Sequence, residues 1–129
     1  MGLDMNVMRT PATLPAAVDF EMHDKKGNAV FPHKDLWYWR KHPNLHGWME
    51  ALYRDKGGKD RDFNCVPVQL TAEDLDALET AVNEGSLPHT EGFFFGVSTG
   101  AEKDDDLAFI AKAREALAAG DSLFYTSWW

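Results

Sequence analysis

The residues best equipped for chemistry gather in one stretch, LWYWRKHPNLHGWM, residues 36–49. Trp37, Tyr38 and Trp39 followed by Arg40 offer planar faces beside a guanidinium. That combination stacks on a planar ligand or makes cation–π contacts. Trp48, the phenylalanines at 93–95, Tyr125, Trp128 and Trp129 can extend such a wall. Large aromatics mostly fill the core of a small domain. Five tryptophans are nevertheless more than a core of this size needs, and Trp and Tyr dominate binding hot spots. The expectation is that this set is half core and half rim.

His42, His46 and Glu50 stand at i, i+4 and i+8, the spacing of metal ligands along one helix face. The zincin pattern places a Glu directly after its first His. Here Pro43 and Gly47 follow the two histidines, and no further ligand cluster supplies the tetrahedral set that zinc requires. A polar helix face is expected instead, with no metal and no cofactor. His89, Thr90 and Glu91 hold an acid–base pair, but neighbours in a loop seldom aim at one reacting atom. Ser98, Thr99 and Ser127 lack a nucleophile elbow. Gly96 and Gly100 are too closely spaced for a phosphate loop, and Ala101 stands where its Lys belongs. Cys65, within FNCVPVQL, reads as a small buried hydrophobe. No catalytic residue is assigned.

The elements that must position these residues follow from hydrophobic periodicity. GLDMNVMR alternates Leu3, Met5 and Val7 against Asp4, Asn6 and Met8, which is a strand. Pro11 and Pro15 interrupt it. AVDFEMHD alternates again through Val18, Phe20 and Met22, predicting a second strand. Gly27 and Asn28 supply a turn, and a short extended piece around Val30 and Phe31 closes a hairpin before Pro32. Leu45, Trp48, Met49, Leu52 and Tyr53 form a helical stripe. Its helix starts near His42, since Pro43 is tolerated only in a first turn, and stops at Gly57 and Gly58. Glu50 and Arg54 can pair on its outside.

CVPVQL predicts a short strand at a sheet edge or bulge, because Pro67 cannot donate a ladder hydrogen bond. A second helix follows, capped by Thr71 with Asp74 in the capping-box position. Leu75, Leu78 and Val82 form its buried side, and Gly85 ends it. GFFFG predicts a strand covered on both faces. The third helix carries Asp104, Asp105 and Asp106 at its positive end, Leu107, Ile110, Ala113, Ala116 and Leu117 as its stripe, and Gly120 as its stop. SLFYTSWW is the last strand. The expectation is a single α+β domain over residues 1–129. It has a mixed or antiparallel sheet of about five strands and three helices, in the order β-β-α-β-α-β-α-β.

A chain of 129 residues with 44% hydrophobic residues can bury roughly two-thirds of its unfolded surface without staples. Lys and Arg number 13 against 21 Asp and Glu, a formal net charge of -8. An acidic chain without a basic block is poorly suited to phosphate backbones or anionic membrane surfaces. A single cysteine forms no intrachain disulfide, which suits a reducing cytoplasm. No apolar run reaches the roughly 20 residues of a membrane span, and MGLDMN lacks a signal-peptide pattern.

The pattern MGLDM at residues 1–5, YWRK at 38–41, His46 with Trp48, LPHTEGFFFG at 87–96 and the aromatic ending FYTSWW resembles a group of small uncharacterised proteins of bacteriophages and prophages. Two departures stand out. Asn6 and Val7 replace the aromatic and aliphatic residues expected after MGLDM, and Trp129 extends the tail. The resemblance implies no established activity and no catalytic residues. It implies a bacterial cytoplasmic setting, where small accessory proteins bind a host protein or a host signalling molecule.

If YWRK, LPHTEG and the tail converge, Trp37, Tyr38, Trp39, Arg40, His46, Glu91, Phe94, Tyr125 and Trp128 would line one aromatic-rimmed cleft. The expected function is then non-enzymatic binding of a small planar or anionic ligand, or of a host protein. Two alternatives stand beside it. One is a small hydrolase using His46, His89 and Glu91. The other is a structural or oligomeric protein that buries its tail aromatics between subunits.

Overall fold

Alternation of apolar and polar residues puts Leu3, Met5 and Val7 on one side of the first strand, and all three are fully buried. In the computed structural model, which describes residues 2–92 and 95–129, this strand is β1 (Asp4–Thr10). It is followed by β2 (Lys34–Arg40), α1 (Pro43–Asp55), β3 (Val68–Leu70), α2 (Ala72–Glu84), α3 (Lys103–Ala118) and β4 (Ser122–Trp128). The strands form one antiparallel sheet in the order β2-β1-β4-β3.

The architecture is α+β with three helices, as expected, but the described residues contain four strands and not five. Their order is β-β-α-β-α-α-β. The segment around Val18, Phe20 and Met22 is not a strand. Asp19 has φ 54, which breaks the extended run, and the segment makes only isolated bridges, Val18 to Val68 and His23 to Ala29. Its alternation is real but records packing onto two different clusters: Val18 against the main core, Phe20 against a smaller one. The turn at Gly27 holds as expected, with Asp24 Oδ1 accepting from the N–H groups of Lys26 and Asn28 at 2.8 and 2.9 Å.

The strand expected at GFFFG has a different fate. Phe93 and Phe94 lie outside the described residues, and Phe95 and Gly96 belong to no strand. Phe95 N–H instead closes a turn onto Gly92 O at 3.2 Å. Periodicity predicts no strand at KDLWYWR, yet it is β2. Its alternation is masked by a register shift between Val7 and Met8, which leaves Leu36 as an extra residue opposite β1. Leu36 and Trp39 are buried as a result, while Tyr38 and Arg40 face out.

The helices pack on the sheet face that carries Met5, Val7, Leu123 and Tyr125. Leu45, Met49 and Tyr53 of α1, Leu75, Leu78 and Val82 of α2, and Phe109 and Ile110 of α3 complete the main core. Trp48 and Leu52 are partly buried against it. The opposite sheet face is covered only in part, where the 11–33 loop lays Leu14, Phe20 and Phe31 over Phe124. Pro67 precedes β3, which is an edge strand as its missing donor requires.

Local chemistry sets the helix ends. α1 begins at Pro43 and ends with Gly58 N–H on Tyr53 O at 2.8 Å. Glu50 and Arg54 pair across one turn at 3.0 Å. Thr71 and Asp74 form the expected capping box, at 3.2 and 2.8 Å, and Gly85 closes α2 in a left-handed conformation. Lys56 adds an ion pair to Asp74. Arg114 of α3 reaches Asp76 and Glu79 of α2, both at 2.8 Å, fixing the two helices side by side. Thr71→Ala is expected to cost about 1 kcal/mol, read as a fall in the urea midpoint at unchanged slope. An unchanged midpoint would show that the cap contributes nothing.

Candidate functional site

Strand pairing decides which of the singled-out side chains meet. Asp4 of β1 stands opposite Arg40 of β2 and opposite Trp128 of β4. Directly opposed residues of an antiparallel pair share a face. Arg40, Asp4 and Trp128 therefore form one row across three strands, on the face away from the helices. Tyr38, Asn6 and Thr126 form the next row. Arg40 Nε lies 3.4 Å from Asp4 Oδ1, and the Tyr38 hydroxyl donates to the same oxygen at 2.5 Å. That hydrogen bond to Asp4 raises the Tyr38 pKa, with burial adding to it. Asp4 thus holds an arginine and a tyrosine in place on open sheet. Trp128 is 69% exposed and Tyr38 52%.

This face is concave. A cavity of about 340 Å³ has Asn6, Met8, Phe124 and Thr126 as its floor, with His23 and Trp128 among its walls. A second, of about 220 Å³, continues on the other side of Trp128 against Gly2, Asp4 and Trp129. Cys65 borders the first cavity and is exposed, not buried as its apolar neighbours suggested. Its N–H bonds Ser127 O at 2.8 Å while its own φ is 62, a left-handed turn that sends the side chain outward. Partial burial, with Asp60 nearby, raises the thiol pKa.

Of the nine residues expected to line one cleft, seven divide between two environments. Tyr38, Arg40 and Trp128 converge on the outer face. Trp39, His46 and Tyr125 lie inside the main core or against it, and Trp37 is half-buried beside Trp39 and Phe109. Glu91 is exposed in a loop, 3.2 Å from His89. Phe94 lies outside the described residues. The reason is register: Trp37 and Trp39 share the pleat of Val7 and Met5, whereas Tyr38 and Arg40 point the other way.

His46 is enclosed, 1% exposed, among the rings of Phe63, Phe95 and Tyr125 at 5.0, 5.2 and 6.0 Å. Its Nδ1 is 2.7 Å from the Tyr125 hydroxyl. Burial pushes the His46 pKa down to about 4. The same enclosure lifts Tyr125 well above the usual phenol value, while a hydrogen bond from Ser127 opposes the rise. His46 is thus a neutral interior residue, separated from the exposed His89 and Glu91. Among the described residues no three His, Cys, Asp or Glu side chains are gathered to hold a metal ion.

A second polar cluster lies at the amino-terminal ends of α1 and α3. His42 Nε2 is 2.8 Å from Asp106 Oδ2, and His42 Nδ1 is 2.7 Å from Ser98 Oγ. Asp106 Oδ1 also accepts from Trp39 Nε1–H at 3.2 Å, and Ser98 Oγ accepts from Asn44 N–H at 3.1 Å. His42 and Asp106 are 3% and 2% exposed. Each member has a local cause. Lys41, at φ 59, turns the chain out of β2, so that His42 becomes the first residue before α1. Asp106 sits in the first turn of α3. The 98–102 loop is pinned by Glu102, whose carboxylate accepts from Thr99 and Gly100 N–H at 3.1 and 3.0 Å. Burial raises the Glu102 pKa, but those amides and the nearby His42 outweigh it and hold the carboxyl low. A cavity of about 160 Å³ opens beside Ser98 and His42, with Asn44, Leu87 and Lys103 in its wall.

Sequence reasoning missed this cluster. By spacing alone Ser98 lacks an elbow, Asp106 answers the helix dipole, and His42 belongs to a polar helix face without a metal. Partners 56 and 64 residues apart leave no local signal.

No family model, no curated protein and no solved structure matches the chain.

Proposed function

We propose that the protein binds a small planar ligand on its outer sheet face, without chemical conversion there. The observation that carries this is Trp128, exposed at the end of the row it forms with Asp4 and Arg40 and lining a cavity of about 340 Å³. Ligand pockets run from about 300 to 1,000 Å³ and combine apolar walls with a few polar groups. Trp128 supplies the stacking surface, and Met8 and Phe124 the apolar floor. Asn6 and Thr126 supply hydrogen-bonding edges, with His23 and His33 beside them. Concavity favours a small molecule over a flat protein partner. A phage or prophage origin and a bacterial cytoplasmic setting belong to the same proposal and rest on the motif resemblance. The charge of -8 argues against nucleic acid, and among the described residues no helix is long and apolar enough to cross a membrane.

The test is thermal melting against a panel of nucleosides and nucleoside monophosphates. One member is expected to raise Tm saturably, by the equivalent of about 2.7 kcal/mol at a hundredfold excess over Kd. Trp128→Ala, a change at an exposed site, should abolish the rise with little effect on the unliganded melt. A panel without effect on the wild type, or a shift that persists in both Trp128→Ala and Tyr38→Ala, would end the proposal.

A further inference from the structure

We propose that Ser98, His42 and Asp106 form a second site, one that hydrolyses esters of short carboxylic acids. It lies away from the outer sheet face and does not depend on the ligand reading. The three side chains form one hydrogen-bonded line, Ser98 Oγ to His42 Nδ1 at 2.7 Å and His42 Nε2 to Asp106 Oδ2 at 2.8 Å. As a carboxylate, Asp106 only accepts, so His42 carries its proton on Nε2 and donates that N–H to Oδ2. In the neutral imidazole Nδ1 then presents its lone pair to the Ser98 hydroxyl. Trp39 Nε1–H on the other carboxylate oxygen fixes Asp106 in turn. This is the nucleophile, base and orienting-carboxylate logic of acyl transfer. The two imidazole nitrogens exchange their more usual assignments, which leaves the proton transfers unchanged.

The chemistry balances without a co-reactant other than water. Ser98 Oγ attacks the ester carbonyl carbon while its proton passes to His42 Nδ1. The tetrahedral adduct collapses, the C–O bond to the alcohol breaks, and Nδ1 returns the proton to the departing oxygen. Water then repeats the sequence on the acyl-serine, releasing the acid and restoring Oγ–H. Asn44 N–H, in the first turn of α1, already points at Oγ, and Lys103 lines the cavity. The Asn44 N–H holds Oγ in place, and the Lys103 ammonium favours the negative charge that develops on the former carbonyl oxygen. The cavity, about 160 Å³, is smaller than the roughly 300 Å³ at which pockets for larger ligands begin, which favours a short acyl group over a long chain.

The experiment uses the full chain, p-nitrophenyl esters of acetate and octanoate, and labelling by phenylmethylsulfonyl fluoride. In the labelling, Oγ displaces fluoride and His42 takes the proton. Wild type is expected to acquire one sulfonyl group, mapped to the Ser98 peptide, and to cleave the acetate ester at least tenfold faster than the octanoate. Ser98→Ala should lose both signals while keeping its circular dichroism. His42→Gln should slow labelling at Ser98 by a hundredfold or more. Should either variant fail to fold, peptide mapping of the labelled wild type decides by itself. Folded wild type that stays unlabelled, carries the label elsewhere, or cleaves acetate no faster than folded Ser98→Ala would overturn the proposal.

Discussion

An Asp106→Ala chain is expected to lose about 3 to 5 kcal/mol, the range for breaking a buried, hydrogen-bonded pair by removing one partner. At about 4 °C per kcal/mol for a domain of this size, the melting temperature falls by roughly 12 to 20 °C. The reason is specific. Asp106 is 2% exposed and accepts from two buried donors, Trp39 Nε1–H and His42 Nε2. Alanine leaves both without a partner in a place that water does not reach, and an orphaned donor costs far more than its hydrogen bond gained. Two controls separate this from other causes. Asp106→Asn keeps one acceptor oxygen and should lose about half as much. Asp104→Ala removes an exposed carboxylate from the same helical turn and should change stability by no more than about 1 kcal/mol, the size of a dipole interaction. Calorimetry on the three variants checks the order. If Asp106→Ala melts within a few degrees of Asp104→Ala, the hydrogen bonds between helix and strand contribute little.

The second large effect is acid sensitivity carried by His46. Its folded-state pKa of about 4 lies below the ordinary histidine value of 6.5, so the unfolded chain binds the proton first. Stability from this group is fully present above about pH 6.5 and is lost as pH falls toward 4. A shift from 6.5 to about 4 corresponds to about 3 kcal/mol at 1.36 per unit. Urea unfolding from pH 7 to pH 4.5 measures the loss. Carboxylates titrate at the lower end of the same window, so the informative quantity is the difference between wild type and His46→Gln. Glutamine fills much of the same space and can meet the Tyr125 hydroxyl, but it carries no proton to gain. Its stability should start lower at pH 7 and fall less steeply. Parallel curves would show that His46 titrates normally and that its burial has no electrostatic consequence.

Both effects arise where polar side chains are enclosed between helix and sheet. Aromatic rings surround each group: Trp39 and Phe109 near Asp106, and Phe63, Phe95 and Tyr125 around His46. The aromatic richness of the chain is thus largely the lining of a core that carries histidines. Among the described residues, only Tyr38 and Trp128 bring large rings from the expected site to the outer face.

The sequence by itself determined what depends on neighbours along the chain. The three helices, the capping box at Thr71 and Asp74, the left-handed stop at Gly85, the Pro67 edge and the strands at β1 and β4 all follow from spacings of a few residues. Such signals act over one turn or one pleat, so they survive in any reading of the string. Tertiary structure alone decided what depends on partners far away. A one-residue bulge at Leu36 hid β2 and divided the YWRK side chains between core and surface. Two-cluster packing made the segment at Val18 look like a strand. His42, more than fifty residues from Ser98 and Asp106, met them only because β2, α1 and α3 pack together. A hydrogen bond forms through space, and one-dimensional spacing does not encode that distance.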